Sequence, residues 1–180
     1  NLSMRGSGTS IPGTDLAMYR AKREGGNAFR FFVADMNLEA QTRVSLERGM
    51  RSALENDEFS LDFQPQVCLE SGTIQSIEAL LRWNHPEHGP IPPETFIPVA
   101  ESSSLINPIG TWALRTACKQ ACAMQSSKHP PIGVSVNLSP VQFRDPDLIG
   151  TVRGALDESG LDPSLLELEV TENVIRRHNA

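Results

Sequence analysis

Three strand-like apolar runs end in oxygen-bearing polar groups, and that combination constrains this chain more than any other feature. They are Glu78-Ala79-Leu80-Leu81-Arg82-Trp83, Val136-Asn137-Leu138-Ser139 and Glu167-Leu168-Glu169-Val170-Thr171-Glu172. Side chains alternate along a strand, so Glu78, Leu80 and Arg82 share one face and Ile77, Ala79 and Leu81 the other; Glu167, Glu169 and Thr171 likewise oppose Leu166, Leu168 and Val170. A parallel sheet covered on both faces reads almost continuously apolar, and these strands do not. Polar groups among apolar neighbours are costly to bury unless something pairs with them. Two readings compete. The glutamates could form salt bridges on a solvated edge strand. Alternatively, the three groups meet at strand ends around a hard divalent cation, Mg²⁺ or Mn²⁺, for which Glu carboxylates and an Asn carbonyl are suitable ligands. The first reading suits a single Glu; three strand ends together favour the second.

The rest of the chain punctuates into alternating elements. Residues 1–13, rich in Gly, Ser and Thr, read as a flexible lead-in or a non-native start. Thr14 or Asp15 caps a helix that reaches about Glu24, where Gly25-Gly26 stops it; 28–33 then reads as a short strand. Leu46, Met50, Ala53 and Leu54 recur at helical spacing inside a helix over about 38–56. Phe59, Leu61 and Phe63 alternate with Ser60, Asp62 and Gln64, which predicts a strand over 59–67, followed by a Ser71-Gly72 turn and a strand over 74–83. Residues 84–90 carry turn chemistry throughout. Helices follow from Pro92-Pro93 through Ala100 and over about 107–125, then a linker over 126–131, a strand over 133–137, a mostly helical stretch over 145–159 and a strand over 165–171. Strands alternating with helices imply a largely parallel sheet or barrel.

Bulk properties narrow the function. A chain of 180 residues fits one domain, or one domain and a fragment. With 22 acidic against 16 basic residues the net charge is -6, which argues against a partner that is a nucleic acid polymer. A small phosphorylated ligand stays open, because a bound metal supplies the missing positive charge. Cys68, Cys118 and Cys122 form no CxxC, so a reducing cytoplasm fits better than a disulfide scaffold. Cys118 and Cys122 lie one helical turn apart and read as small core residues rather than a metal pair. His85 and His88 read as a solvated loop pair rather than ligands. The sequence shows neither an 18-residue apolar window nor a signal-peptide core, so any membrane contact would come through regions outside this chain.

Several of these residues also carry a family resemblance. Glu78-Ala79-Leu80, with Leu81-Arg82-Trp83 behind it, resembles the signature of the EAL domain, a cyclic di-GMP phosphodiesterase. The likeness continues in order through Phe63-Gln64-Pro65, Asn84-His85-Pro86, the stretch 93–101 (PETFIPVAE), Asn137-Leu138-Ser139 and Glu169-Val170-Thr171-Glu172, covering about 38–180. Residues 14–32 resemble instead the last helix and strand of a GGDEF diguanylate cyclase domain, whose signature loop is absent here. The resemblance implies three segments: 1–13, a GGDEF remnant over 14–34, and the N-terminal part of an EAL domain over 35–180. It implies a TIM-type (β/α)₈ barrel, of which this chain holds roughly the first four strands. It further implies two Mg²⁺ or Mn²⁺ ions that activate a water to hydrolyse cyclic di-GMP to linear pGpG. Glu78, Asn137 and Glu169 match metal ligands of the family, Arg82 a phosphate contact and Gln64 a polar residue at the ligand site.

The chain departs from the family pattern at its C-terminal end. The family continues with a paired-Asp motif, a Lys and a further Glu, and this sequence ends at Ala180 before any of them. A complete eight-stranded barrel takes about 250 residues. The expectation is therefore a half-site, inactive as it stands and prone to associate through open barrel edges. A non-catalytic cyclic di-GMP-binding regulatory module is the alternative. Ser104 stands where the family usually has Gly.

Overall fold

The computed structural model describes residues 34–125 and 130–170. The expected lead-in, almost all of the segment 14–34, and Thr171 and Glu172 lie outside the described residues. The chain divides into two compact units, residues up to Ser45 and from Leu46 onward; the fold below is that of the second.

A helix, α1 (Ala34–Glu55), leads into β1 (Phe59–Val67) and β2 (Ile74–His85). Then come β3 (Gly89–Ile91), α2 (Pro93–Ser102), α3 (Ile106–Met124), β4 (Gly133–Leu138), the single turn α4 (Pro140–Phe143) and α5 (Leu148–Ser159). A 3₁₀ turn at Pro163–Leu165 delivers β5 (Leu166–Val170). The strands form one sheet of order β1-β2-β4-β5, with β3 paired to β2 off that path.

The sheet is mixed, which corrects the expectation of a largely parallel one. β2/β4 and β4/β5 are parallel, but β1/β2 and β2/β3 are antiparallel. The cause is local: only residues 68–73 join β1 to β2, and a parallel pair needs a crossover of about a dozen residues. A second correction concerns 84–90, expected as loop. β2 runs on to His85 and turns back into β3, with Gly89 at φ +68 and His85 Nδ1 accepting the backbone N–H groups of Glu87 and His88. The stretch 145–159 is mostly helical, as expected; the helix starts at Leu148, because Asp145 Oδ1 accepts the N–H of Asp147 and offers the backbone a competing turn.

One face of the sheet is sealed by helices. Ile77 and Ala79 of β2 with Val134 and Val136 of β4 pack on Leu114, Ala117, Cys118 and Ala121 of α3. A second cluster gathers Met50, Phe59, Trp83, Phe96 and Ile109. Trp83 is essentially inaccessible, donates its indole N–H to Glu58 Oε2 at 3.1 Å and meets Phe96 edge-on at 5.6 Å. These residues alternate with the polar set, so burying Ile77, Ala79 and Trp83 turns Glu78, Leu80 and Arg82 to the opposite face. Cys118 sits wholly within the first cluster, and burial pushes its thiol up to about 11, as befits a core residue. Among the described residues no helix is long and apolar enough to cross a membrane.

Candidate metal and ligand site on the open sheet face

Strand register brings the expected site residues onto the face that the helices leave free. Gln64 of β1 is the antiparallel partner of Glu78, Glu78 is the parallel partner of Ser135, and Ser135 that of Glu167. One step along, Asn137 is the register partner of Glu169. Partners in register point to the same side of a sheet. All five residues singled out from sequence (Gln64, Glu78, Arg82, Asn137 and Glu169) therefore share one face.

The decisive contact is direct. Asn137 Nδ2 donates to Glu78 Oε1 at 2.7 Å, joining residues 59 positions apart in sequence. Only the amide nitrogen can donate to a carboxylate, so this bond fixes Asn137 with its carbonyl oxygen at the other end and available as a ligand. Glu78 and Glu169 are half-buried and Asn137 is exposed. Beside them the hydroxyl of Ser135 is wholly buried, with no hydrogen-bond partner among the described residues. Two carboxylates, an amide carbonyl and an orphaned hydroxyl make a hard oxygen donor set that fits Mg²⁺ or Mn²⁺. Among the described residues, no three His, Cys, Asp or Glu side chains converge as a metal cluster; the fit depends on the amide. His85 and His88 stack on each other, with ring centroids 4.6 Å apart, at the β2–β3 turn.

The turn beyond β4 holds Asn137 in place. Ser139 Oγ accepts the backbone N–H of Gln142 and Gln142 Oε1 accepts that of Ser139, a capping box that opens α4 with its N-cap two residues after Asn137. Gln142 in turn lies against Gly110 of α3, where a Cβ would stand 1.8 Å from its Nε2. Its spacing in sequence, Ser-Pro-x-Gln, is a readable helix start that the strand-based reading passed over. A cavity of about 350 Å³ opens beside the ends of β2 and β4, with Arg82, Glu101, Asn137, Ser139 and Gln142 as polar groups in an otherwise mostly apolar wall. Arg82 is engaged by Asp62 of β1, Nε to Oδ2 at 2.7 Å. Sequence reasoning missed Asp62. Alternation puts it on the correct face, but only the strand register shows that it meets Arg82.

Comparison with known proteins decides the family. The model of the EAL domain matches residues 47–180. The chain belongs to the EAL domain family. It is 44% identical over 163 residues to the bifunctional diguanylate cyclase/cyclic di-GMP phosphodiesterase MucR of Pseudomonas aeruginosa, covering 91% of this chain and 24% of MucR. To the cyclic di-GMP phosphodiesterase NbdA of the same organism it is 34% identical over 160 residues, covering 89% and 20%. The chain thus spans about a quarter or less of the curated relatives it matches. Among solved structures, a MucR phosphodiesterase complexed with cyclic di-GMP shares 44% identity at a TM-score of 0.68, over 71% of this chain and 52% of that one. The EAL enzyme Bd1971 in its cGMP-bound form reaches a TM-score of 0.74 at 29% identity, over 95% and 46%. This EAL chain is thus α/β, with an open, partial sheet.

Proposed function

We propose that this chain is the N-terminal part of an EAL-type phosphodiesterase that hydrolyses cyclic di-GMP to linear pGpG in bacterial second-messenger signalling in the cytoplasm. The observation that carries the reading is the Asn137–Glu78 contact, with Glu169 in register beside it on the same sheet face as Arg82 and Gln64. The phosphodiesterase names of MucR and NbdA support it.

In this reading Glu78, Asn137 and Glu169 hold Mg²⁺ or Mn²⁺ through oxygen atoms. A cation held there would supply Lewis-acid activation of water at neutral pH and compensation for phosphodiester charge. Glu78 has two tasks, since one oxygen orients the Asn137 amide while its carboxylate contributes negative charge to the cation. Arg82 offers N–H donors to phosphate oxygens, and Gln64, exposed on the edge strand, offers an amide to the ligand's polar groups. The described strands are the first part of a (β/α)₈ barrel, and the segment 14–34 is a GGDEF remnant. The groups that complete the site follow this sequence in the family, so the chain alone holds half a site and does not turn over.

The test is direct. The chain and a version extended to full barrel length are each incubated with cyclic di-GMP and Mn²⁺, and binding and pGpG formation are measured. Turnover in the extended form alone is the expected result. Cleavage by the short form would show the half-site account to be wrong, and binding without cleavage in both would point to a non-catalytic receptor.

A further inference from the structure

Arg82 enters the open face with its guanidinium already held on two sides. Its Nε donates to Asp62 Oδ2 at 2.7 Å, and Nη1 donates to the carbonyl of Leu81 at 3.0 Å. A guanidinium has five N–H donors. Those two bonds use the one on Nε and one of the two on Nη1, leaving Nη2 whole. The two terminal nitrogens still present the paired donors that two phosphate oxygens require. Strand pairing delivers the carboxylate: Ser60 is the register partner of Arg82, and Asp62, two residues along β1, faces Leu80.

We propose that Asp62 is a positioning residue for Arg82, fixing the guanidinium so that its terminal fork faces the phosphodiester. The proposal rests on the reading of Arg82 as a phosphate contact. The plainer alternative is an incidental surface ion pair, since the Asp62 side chain is 65% exposed and that of Arg82 35%, and pairs of this kind add little to stability. The two accounts differ in sign. As a bare negative charge beside an anionic ligand, Asp62 opposes binding, and its removal tightens the complex, most visibly at low salt. As a positioning group it spares the ligand the cost of ordering a long, rotamer-rich side chain, and its removal loosens the complex at any salt. Asp62 stands on an edge strand whose other face is anchored by Phe59, Leu61 and Phe63, so its replacement leaves that packing untouched.

The experiment uses the chain extended to full barrel length, with cyclic di-GMP affinity measured calorimetrically without divalent cation. Asp62→Ala is expected to weaken binding about three- to ten-fold, the size of one side chain's ordering cost, at both about 50 mM and about 300 mM salt. Asp62→Asn, which keeps an acceptor oxygen in place and also guards against a folding artefact, is expected to recover most of that loss. In an Arg82→Ala background, Asp62→Ala is expected to change nothing further. If Arg82→Ala leaves affinity unchanged, the phosphate-contact reading fails and takes the proposal with it. If Arg82→Ala weakens binding while Asp62→Ala is neutral or tightens it, the positioning role is overturned and the phosphate contact stands.

Discussion

Substituting Gly110 by alanine tests how the helix layer holds the candidate site. Its Cβ would fall 1.8 Å from Gln142 Nε2 and 2.7 Å from Cδ, so the Gln142 carboxamide must leave. Expulsion breaks the Gln142 half of the capping box and leaves the half-buried Ser139 N–H without its acceptor, a loss of about 2 kcal/mol, while the N-cap bond from the Gln142 N–H to Ser139 Oγ survives. Against this, alanine in a helix interior is favoured over glycine by about 1 kcal/mol. With steric strain added, Gly110→Ala should destabilise the protein by about 1–2 kcal/mol, opposite to what helix propensity alone predicts. In a Gln142→Ala background the obstacle is gone and the same change should stabilise by about 1 kcal/mol. The coupling between the two sites is then about 2–3 kcal/mol. Urea unfolding followed by the fluorescence of Trp83 and Trp112 measures all four corners of the cycle. Equal effects of Gly110→Ala in both backgrounds, or stabilisation in the parent, would refute the reasoning.

Four further outcomes are expected from the structure. Ser104 adopts φ +61, a left-handed backbone that glycine tolerates best, so Ser104→Gly should stabilise the protein by about 1 kcal/mol in the same assay; a loss of stability would contradict that. The Cys68 thiol is held below its ordinary range by the Ser71 hydroxyl and by the backbone N–H groups of Ser71 and Glu70, whereas Cys118 keeps its proton to about 11. Iodoacetamide at mildly alkaline pH should therefore label Cys68 first, as read by mass spectrometry. The unfolded chain releases the Cys118 proton near its ordinary value of 9.0. Stability should thus fall as pH rises from 9 towards 11, and less steeply in Cys118→Ala. The outer edges of β1 and β5 have no partner among the described strands, so the chain alone should self-associate; a well-behaved monomer with a cooperative melt on size-exclusion chromatography and heating would count against it.

The local periodicities were legible and the pairings were not. Alternation at Phe59, Leu61 and Phe63, and at Glu78, Leu80 and Arg82, marked both strands and their polar face, and the strand β1 matches its expected bounds. Cys118, read as a small core residue, does lie on the buried side of α3 with Leu114, Ala117 and Ala121. Antiparallel pairing of β1 with β2 depends on a short connection, and the β2–β3 turn depends on His85 accepting two backbone N–H groups inside a Pro- and Gly-rich stretch that reads as loop. At the site, alternation placed each residue on a face, but the contacts of Asn137 with Glu78 and of Arg82 with Asp62 come from register between strands distant in sequence. Ser104 shows the two levels meeting. A position where the resemblance expects glycine has the backbone angle that explains the preference.

Whether Glu78, Asn137 and Glu169 grip one cation together is the point on which the functional account turns. Anomalous diffraction from crystals of the barrel-length form soaked in Mn²⁺ answers it most directly. The account predicts a manganese peak within about 2.0–2.6 Å, the range for hard-cation oxygen ligands, of oxygen atoms from all three side chains. A peak that misses Asn137 and Glu169, or Mn²⁺ bound only elsewhere, would contradict it.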